Sequence, residues 1–179
     1  MTIEACLSIS ERRTLGVALH CKPQSPFRSY TGILPPQSDP GAYGFIADLT
    51  ESFLMKVTGT SSLGSQLAGI LQQAGAISNI VAHSQGSLIV SNAFSALAQN
   101  GFRFSTEVGV TYYGSAANIL VGRSLAQSVG AQLTISNHFL DAVGNVVGLN
   151  TFNPFRVVGS IIASPAMFMG SISPHSVYP

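Results

Sequence analysis

Apolar positions in this chain alternate between short continuous runs and stretches at helical spacing. Residues 77–82 form an apolar run closed by Gly75 and His83. Beyond it Leu88, Ile89, Ala93, Phe94 and Leu97 recur at helical intervals until Asn100-Gly101 stops the pattern. The same reading predicts strands over 14–21, 106–113 and 132–136 and helices over 62–74 and 118–129. A further helix is predicted from Asp48, where Asp48 and Glu51 have capping-box spacing and Leu49, Phe53, Leu54 and Val57 supply an apolar face. Residues 22–42, carrying Pro23, Pro26, Pro35, Pro36 and Pro40, read as a loop that is long for a compact domain. Strand and helix in alternation predict an α/β domain. Its mostly parallel sheet has helices on both faces, with reactive groups at the carboxyl ends of the strands. At 179 residues one domain is expected over 1–179, with 1–42 a divergent or incomplete N-terminal part.

The junction of the 77–82 strand with its helix carries a serine. In Ile80-Val81-Ala82-His83-Ser84-Gln85-Gly86-Ser87 the small residues Ala82 and Gly86 leave room for a backbone turn tight enough to lift the Ser84 hydroxyl clear of the sheet. Such a turn also aims N–H groups of the helix start at the place where a tetrahedral intermediate carries negative charge. Small-x-Ser-x-Gly is not rare in a chain so rich in small residues, and Ala126-Gln127-Ser128-Val129-Gly130 has the same spacing. That second match sits in a helix-like run with no strand ahead of it, so context selects Ser84. The alternative for Ser84 is an ordinary strand-to-helix turn.

A serine hydroxyl needs a base, and the base an orienting carboxylate. After Ser84 the only acids are Glu107 and Asp141, and the only histidines His138 and His175. Glu107 falls at the start of a strand, the wrong end for chemistry, whereas Asp141 follows the end of one. His175 stands in a loop-like Ser173-Pro174-His175-Ser176 context, which yields the chain order Ser84, Asp141, His175. Each partner has a structural alternative: Asp141 as a helix or turn cap, His175 as a surface residue. His138 is the rival base, too near Asp141 in one loop to complete a triad. His83 packs beside the nucleophile and is assigned to the substrate side; His20 reads as structural.

Composition narrows the partners. Charged residues make up 8% of the chain, against about 25% in average soluble proteins, and the mean hydropathy is +0.36. The resulting surface of small polar and exposed apolar groups suits an apolar substrate or a lipid interface. A net charge of +1 without a basic cluster argues against nucleic acid. No metal-ligand spacing is present, and Cys6 and Cys21 read as two thiols or as one bridge. No signal-peptide pattern opens the chain, and the apolar tract 157–170, interrupted by Pro165, is too short to span a bilayer. Location is left open between the cytoplasm and export without a signal peptide.

The Ser84 segment resembles the nucleophile elbow of lipase-like α/β hydrolases. Together with Gly44-Phe45-Ile46-Ala47-Asp48-Leu49-Thr50-Glu51, His138-Phe139-Leu140-Asp141-Ala142-Val143-Gly144 and Pro174-His175-Ser176-Val177-Tyr178, it resembles the lipase or phospholipase modules of bacterial polymorphic toxins and hemagglutinin-like exoproteins. The resemblance covers the chain from about Tyr43 onward. It implies a small or shortened α/β-hydrolase fold, with Ser84 as nucleophile, Asp141 as acid, His175 as base and an acyl ester, of a phospholipid among others, as substrate. The chain departs from the pattern in having Ala82 where these hydrolases usually have Gly, and in having less sheet ahead of the elbow. The oxyanion donors are then the Gln85 N–H and, as best second candidate, Gly32, for which a simple turn glycine is an equal reading.

Between Asp141 and His175, residues 143–170 are rich in Val, Ile, Phe and Met and carry Arg156 as their one charge. The favoured reading is a buried helix and strand completing the sheet. The other is a partly exposed cap in which Phe152 and Phe155 meet acyl chains, with a membrane surface as partner. The expected function is therefore a serine esterase or lipase without metal or organic cofactor. A non-catalytic binding module on the same fold is the alternative.

Overall fold

The computed structural model describes residues 17–21, 62–74 and 77–163, the first of these as backbone. Four strands, β1 (Val17–Cys21), β2 (Ile77–His83), β3 (Val108–Tyr113) and β4 (Ala131–Ser136), form one sheet in that spatial order. β1 runs antiparallel to β2, while β2, β3 and β4 are parallel. Helix α1 (Ser62–Gln73) precedes β2, α2 (Gln85–Gln99) joins β2 to β3, and α3 (Ile119–Ser128) joins β3 to β4. After β4 come one π-helical turn, Val143–Val147, and α4 (Pro154–Ala163). The predicted α/β alternation and mostly parallel sheet are thus present, with element ends within two or three residues of the predicted ones. The helix predicted from Asp48 and the loop over 22–42 lie outside the described residues.

The helical spacing read in α2 is the spacing that is buried: Leu88, Ile89, Ala93, Phe94 and Leu97 all lie in the core. Leu67 and Leu71 of α1 join them. Asn100 caps α2, and Gly101 behind it takes φ 68°, a conformation that favours glycine and ends the helix where the sequence places the stop. Asn118 opens α3, its side-chain oxygen accepting from the N–H groups of Leu120 and Val121.

The predicted helices on both faces are found on one face among the described residues. α2 packs against both α1 and α3, and helices on opposite faces would be held apart by the sheet. The side chains agree. Ile80 and Ala82 of β2, Val108, Val110 and Tyr112 of β3 and Ala131 of β4 are buried toward the helices, whereas Gln132, Thr134 and Ser136 on the other side of β4 are exposed. This period-two alternation belongs to a sheet with one fully packed face. Tyr112 lies under α2 and α3 with its hydroxyl 3.2 Å from Ser91 Oγ; burial pushes that phenol far above its ordinary range and keeps it neutral. A Cβ at Gly122 would stand 3.2 Å from the Leu133 side chain and 3.5 Å from the Tyr112 ring, so glycine lets α3 approach the sheet closely.

The favoured reading of 143–170 is not what the structure shows over its described part. Residues 143–163 contribute no strand; Val143 reaches the core, but α4 keeps one buried residue, Ser160, while its Phe155, Val158, Ile161 and Ile162 are exposed. Hydrophobicity without a matching apolar surface to cover does not bury a segment.

Candidate active site

Ser84 stands between the last residue of β2 and the first of α2, with φ 52° and ψ −122°. A non-glycine residue held there costs on the order of 1–3 kcal/mol and persists only where the surroundings over-determine it. They do so here. The Ser84 N–H donates to the Tyr113 carbonyl at 2.9 Å, extending the β2–β3 ladder past its end. Its carbonyl accepts from the Ser87 hydroxyl at 2.6 Å, from the Ser87 N–H at 3.1 Å and from the Ala116 N–H at 3.4 Å. Ala82 and Gly86 on either side are buried, which is why both are small. The half-buried serine is thereby placed at the carboxyl end of the sheet, beside the first turn of α2. Gln85 opens that turn, where backbone amides precede the intrahelical ladder and carry the positive end of the helix dipole.

The competing serine is resolved by position. Ser128 ends α3, is exposed, and donates its hydroxyl to the Leu125 carbonyl at 2.7 Å. Among the described non-glycine residues only Ser84 and Leu149 have positive φ.

Asp141 lies in the segment after β4 and is fully buried. Its Oδ1 accepts from the N–H groups of Val143 at 2.9 Å and Gly144 at 3.3 Å, so it caps the π-helical turn. The capping alternative is therefore present in the structure. It does not compete with an orienting role, since a carboxylate accepts at both oxygens. β4 lies two strand spacings from β2, roughly 9.5 Å, and Asp141 follows beyond its carboxyl end, the same end of the sheet as Ser84. His175 and Gly32, the sequence candidates for base and second oxyanion donor, lie outside the described residues.

The remaining candidates are placed as follows. His83 is half-buried at the end of β2, in register with Tyr113 and on the strand side opposite Ala82. His138 is half-buried with its ring 4.7 Å from the Phe139 ring; its Nδ1 accepts from the Leu140 N–H at 3.3 Å and its carbonyl from the Asp141 N–H at 3.0 Å. These bonds tie His138 to the loop that positions Asp141. Glu107 is exposed one residue before β3, at the amino end of the sheet, as its sequence position implied. Phe152 and Phe155 are 95% and 85% exposed.

Sequence reasoning missed the polar frame behind the turn. Ser87 Oγ accepts from the Ala117 N–H at 3.1 Å and lies 3.1 Å from Ser115 Oγ. Asn137 Oδ1 accepts from the Ser115 N–H at 2.8 Å. Asn150 donates from Nδ2 to the carbonyls of Ser115 and Ala117, both at 3.1 Å, and accepts the Ile119 N–H at 2.8 Å. The signal in the sequence was the small polar run Gly114-Ser115-Ala116-Ala117-Asn118 at a strand end. Its partners Ser87, Asn137 and Asn150 are separated from it in sequence and meet only in the fold. Among the described residues no group of His, Cys, Asp and Glu is placed to hold a metal ion.

No protein-family model, no curated protein and no solved structure matches the chain.

Proposed function

We propose that the protein is a serine hydrolase of the α/β-hydrolase type that cleaves carboxylic esters, with lipid or phospholipid esters as the substrate class. The observation that carries this reading is the backbone of Ser84: a serine at φ 52°, clamped between a parallel strand and a helix start. An unstrained turn would join these elements at lower cost, and the strained one sets a half-buried serine at the end of the sheet where α/β proteins bind ligands.

In the proposed reaction His175 accepts the Ser84 proton as Oγ attacks the ester carbonyl carbon, while the Asp141 carboxylate orients the imidazole. The oxyanion faces the Gln85 N–H and the backbone of Gly32. Collapse breaks the bond to the leaving alcohol, which takes the proton from His175. Water, deprotonated by the same base, then attacks the acyl carbon and frees Ser84. His83 flanks the substrate side, and Phe152 and Phe155 meet its acyl portion. No metal or cofactor enters the scheme.

A serine-directed phosphonate tests the proposal, labelling the wild type and not Ser84→Ala. The pH–rate profile should rise as one group becomes neutral. Loss of that limb in His175→Ala supports the assignment, and its survival transfers the role to His138. Absence of both labelling and ester turnover would favour a non-catalytic binding module, the reading that the exposed apolar surface around α4 otherwise supports.

A further inference from the structure

Helix α4 is turned inside out relative to α2. Its one buried side chain is Ser160, whose hydroxyl donates to the Arg156 carbonyl at 2.7 Å and accepts from Asn145 Nδ2 at 2.6 Å. Its apolar residues Phe155, Val158, Ile161 and Ile162 are 85%, 53%, 54% and 71% exposed. The surface continues onto α3. Asn118 Nδ2 donates to the carbonyls of Gly148 and Leu149, and Asn150 holds the Ile119 N–H, so this loop is fastened to the first turn of α3, where Leu120 and Val121 are exposed as well. Every exposed large apolar side chain among the described residues belongs to 120–162, at or beyond the carboxyl ends of the strands.

Charge divides along the same axis. Arg123 and Arg156 are exposed on α3 and α4 and Asp141 is buried, whereas at the amino end of the sheet Arg103 and Glu107 are both exposed, one of each sign. Exposed apolar surface marks an interaction site, and a short helix with one apolar side and cations close by lies in a membrane interface. α4 is too short to cross a bilayer. A second copy seated symmetrically on this face would bring Arg123 and Arg156 toward their counterparts, with no exposed acid of the described residues at this end to meet them.

We infer that this surface docks the protein onto an anionic phospholipid bilayer, α4 lying in the headgroup plane with Phe152 and Phe155 inserted and Arg123 and Arg156 against phosphate. The inference deepens the hydrolase reading by naming the surface on which its substrate is met. Adsorption does not depend on the nucleophile, so the two ideas fail separately.

The test is flotation of the full chain with vesicles of phosphatidylcholine alone and with equal parts of phosphatidylcholine and phosphatidylglycerol, using wild type and Ser84→Ala. Both should bind the anionic vesicles, more weakly as salt is raised. The double variant Phe152→Ser/Phe155→Ser should lower the partition coefficient about a hundredfold. Arg123→Gln/Arg156→Gln should lower it about tenfold on anionic vesicles and little on phosphatidylcholine. Both Phe side chains are exposed, so the unfolding midpoint of the first double variant should stay at the wild-type value. Normal turnover of a soluble ester without flotation overturns the docking surface and leaves the hydrolase. Flotation without any serine labelling does the reverse. Equal flotation of the Phe variant, or a concentration-dependent dimer that this variant disperses, also overturns the docking proposal.

Discussion

Residues 77–99 and 142–163 are comparably apolar in sequence and have opposite fates. In the first, β2 and α2 turn their apolar positions onto each other, and Phe94 is completely buried. In the second, only Ala142 and Val143 among the apolar side chains are buried, the other buried side chains Asn145 and Ser160 are bonded to each other, and Phe155 is left 85% exposed. Strand and helix spacing bring the apolar positions of the first region to one face, where the sheet completes their burial. The second region is anchored by polar bonds, Asn145 donating to the Phe139 carbonyl, Asn150 to the Ser115 carbonyl and Asn118 to the Leu149 carbonyl; Val143 and Val147 pack at the core, and the large apolar side chains Phe155, Val158, Ile161 and Ile162 of α4 are surplus to it. Hydropathy reports how much apolar surface a segment has, and the geometry of the polar anchors reports which way it faces.

The contrast is sharpest in activity. Ser84→Ala should reduce ester turnover by about 10⁴-fold or more, while Ser128→Ala, at the end of α3, should leave it unchanged. Equal losses in the two variants would dissolve the distinction between the strained turn and the decoy. Asp141→Asn should cost about 10⁴-fold in kcat and yet keep the cap, because an amide oxygen still accepts the Val143 and Gly144 N–H groups. Full turnover in that variant would mean that the carboxylate serves the π-helical turn alone. Neither Glu107→Gln nor His138→Ala should approach these losses.

In stability the two phenylalanines should separate widely. Phe94→Ala should destabilise by about 3–5 kcal/mol and Phe155→Ala by less than about 0.5 kcal/mol in denaturant unfolding. Similar values would return α4 to the core. Ser87→Ala removes the hydroxyl bonded to the Ser84 carbonyl and strands the Ala117 N–H, at a cost of about 1–3 kcal/mol. If its unfolding midpoint does not move, the polar frame is not what holds the turn. The smallest effect expected is the most specific: Ser84→Gly should raise stability by about 1 kcal/mol as the strain is relieved, while abolishing phosphonate labelling. A destabilised Ser84→Gly would show that the turn is not strained.

Much of this was legible in the chain because it rests on local rules. Strand and helix alternation is written in hydrophobic periods of two and 3.6, the α2 stop in Asn100-Gly101, and the tight turn at Ser84 in the small residues on either side of it. The cap that Asp141 makes was legible too, in an acid at the start of Asp141-Ala142-Val143-Gly144, and a carboxylate that caps through Oδ1 can also serve the proposed role, since both its oxygens accept. The frame of Ser87, Ser115, Asn137 and Asn150 was not legible. Serine and asparagine are common throughout the chain, and nothing local distinguishes those that meet.

The sequence by itself determined the order of strands and helices, the serine at their tightest junction and the scarcity of charge, since each follows from side-chain chemistry and spacing within a few residues. Only the tertiary structure decided that α1 and α3 both pack against α2, that β1 pairs antiparallel to β2, and that α4 points its apolar side outward. These depend on which distant polar groups satisfy one another. A buried donor or acceptor must find its partner wherever the chain has brought one, and that choice has no local signature.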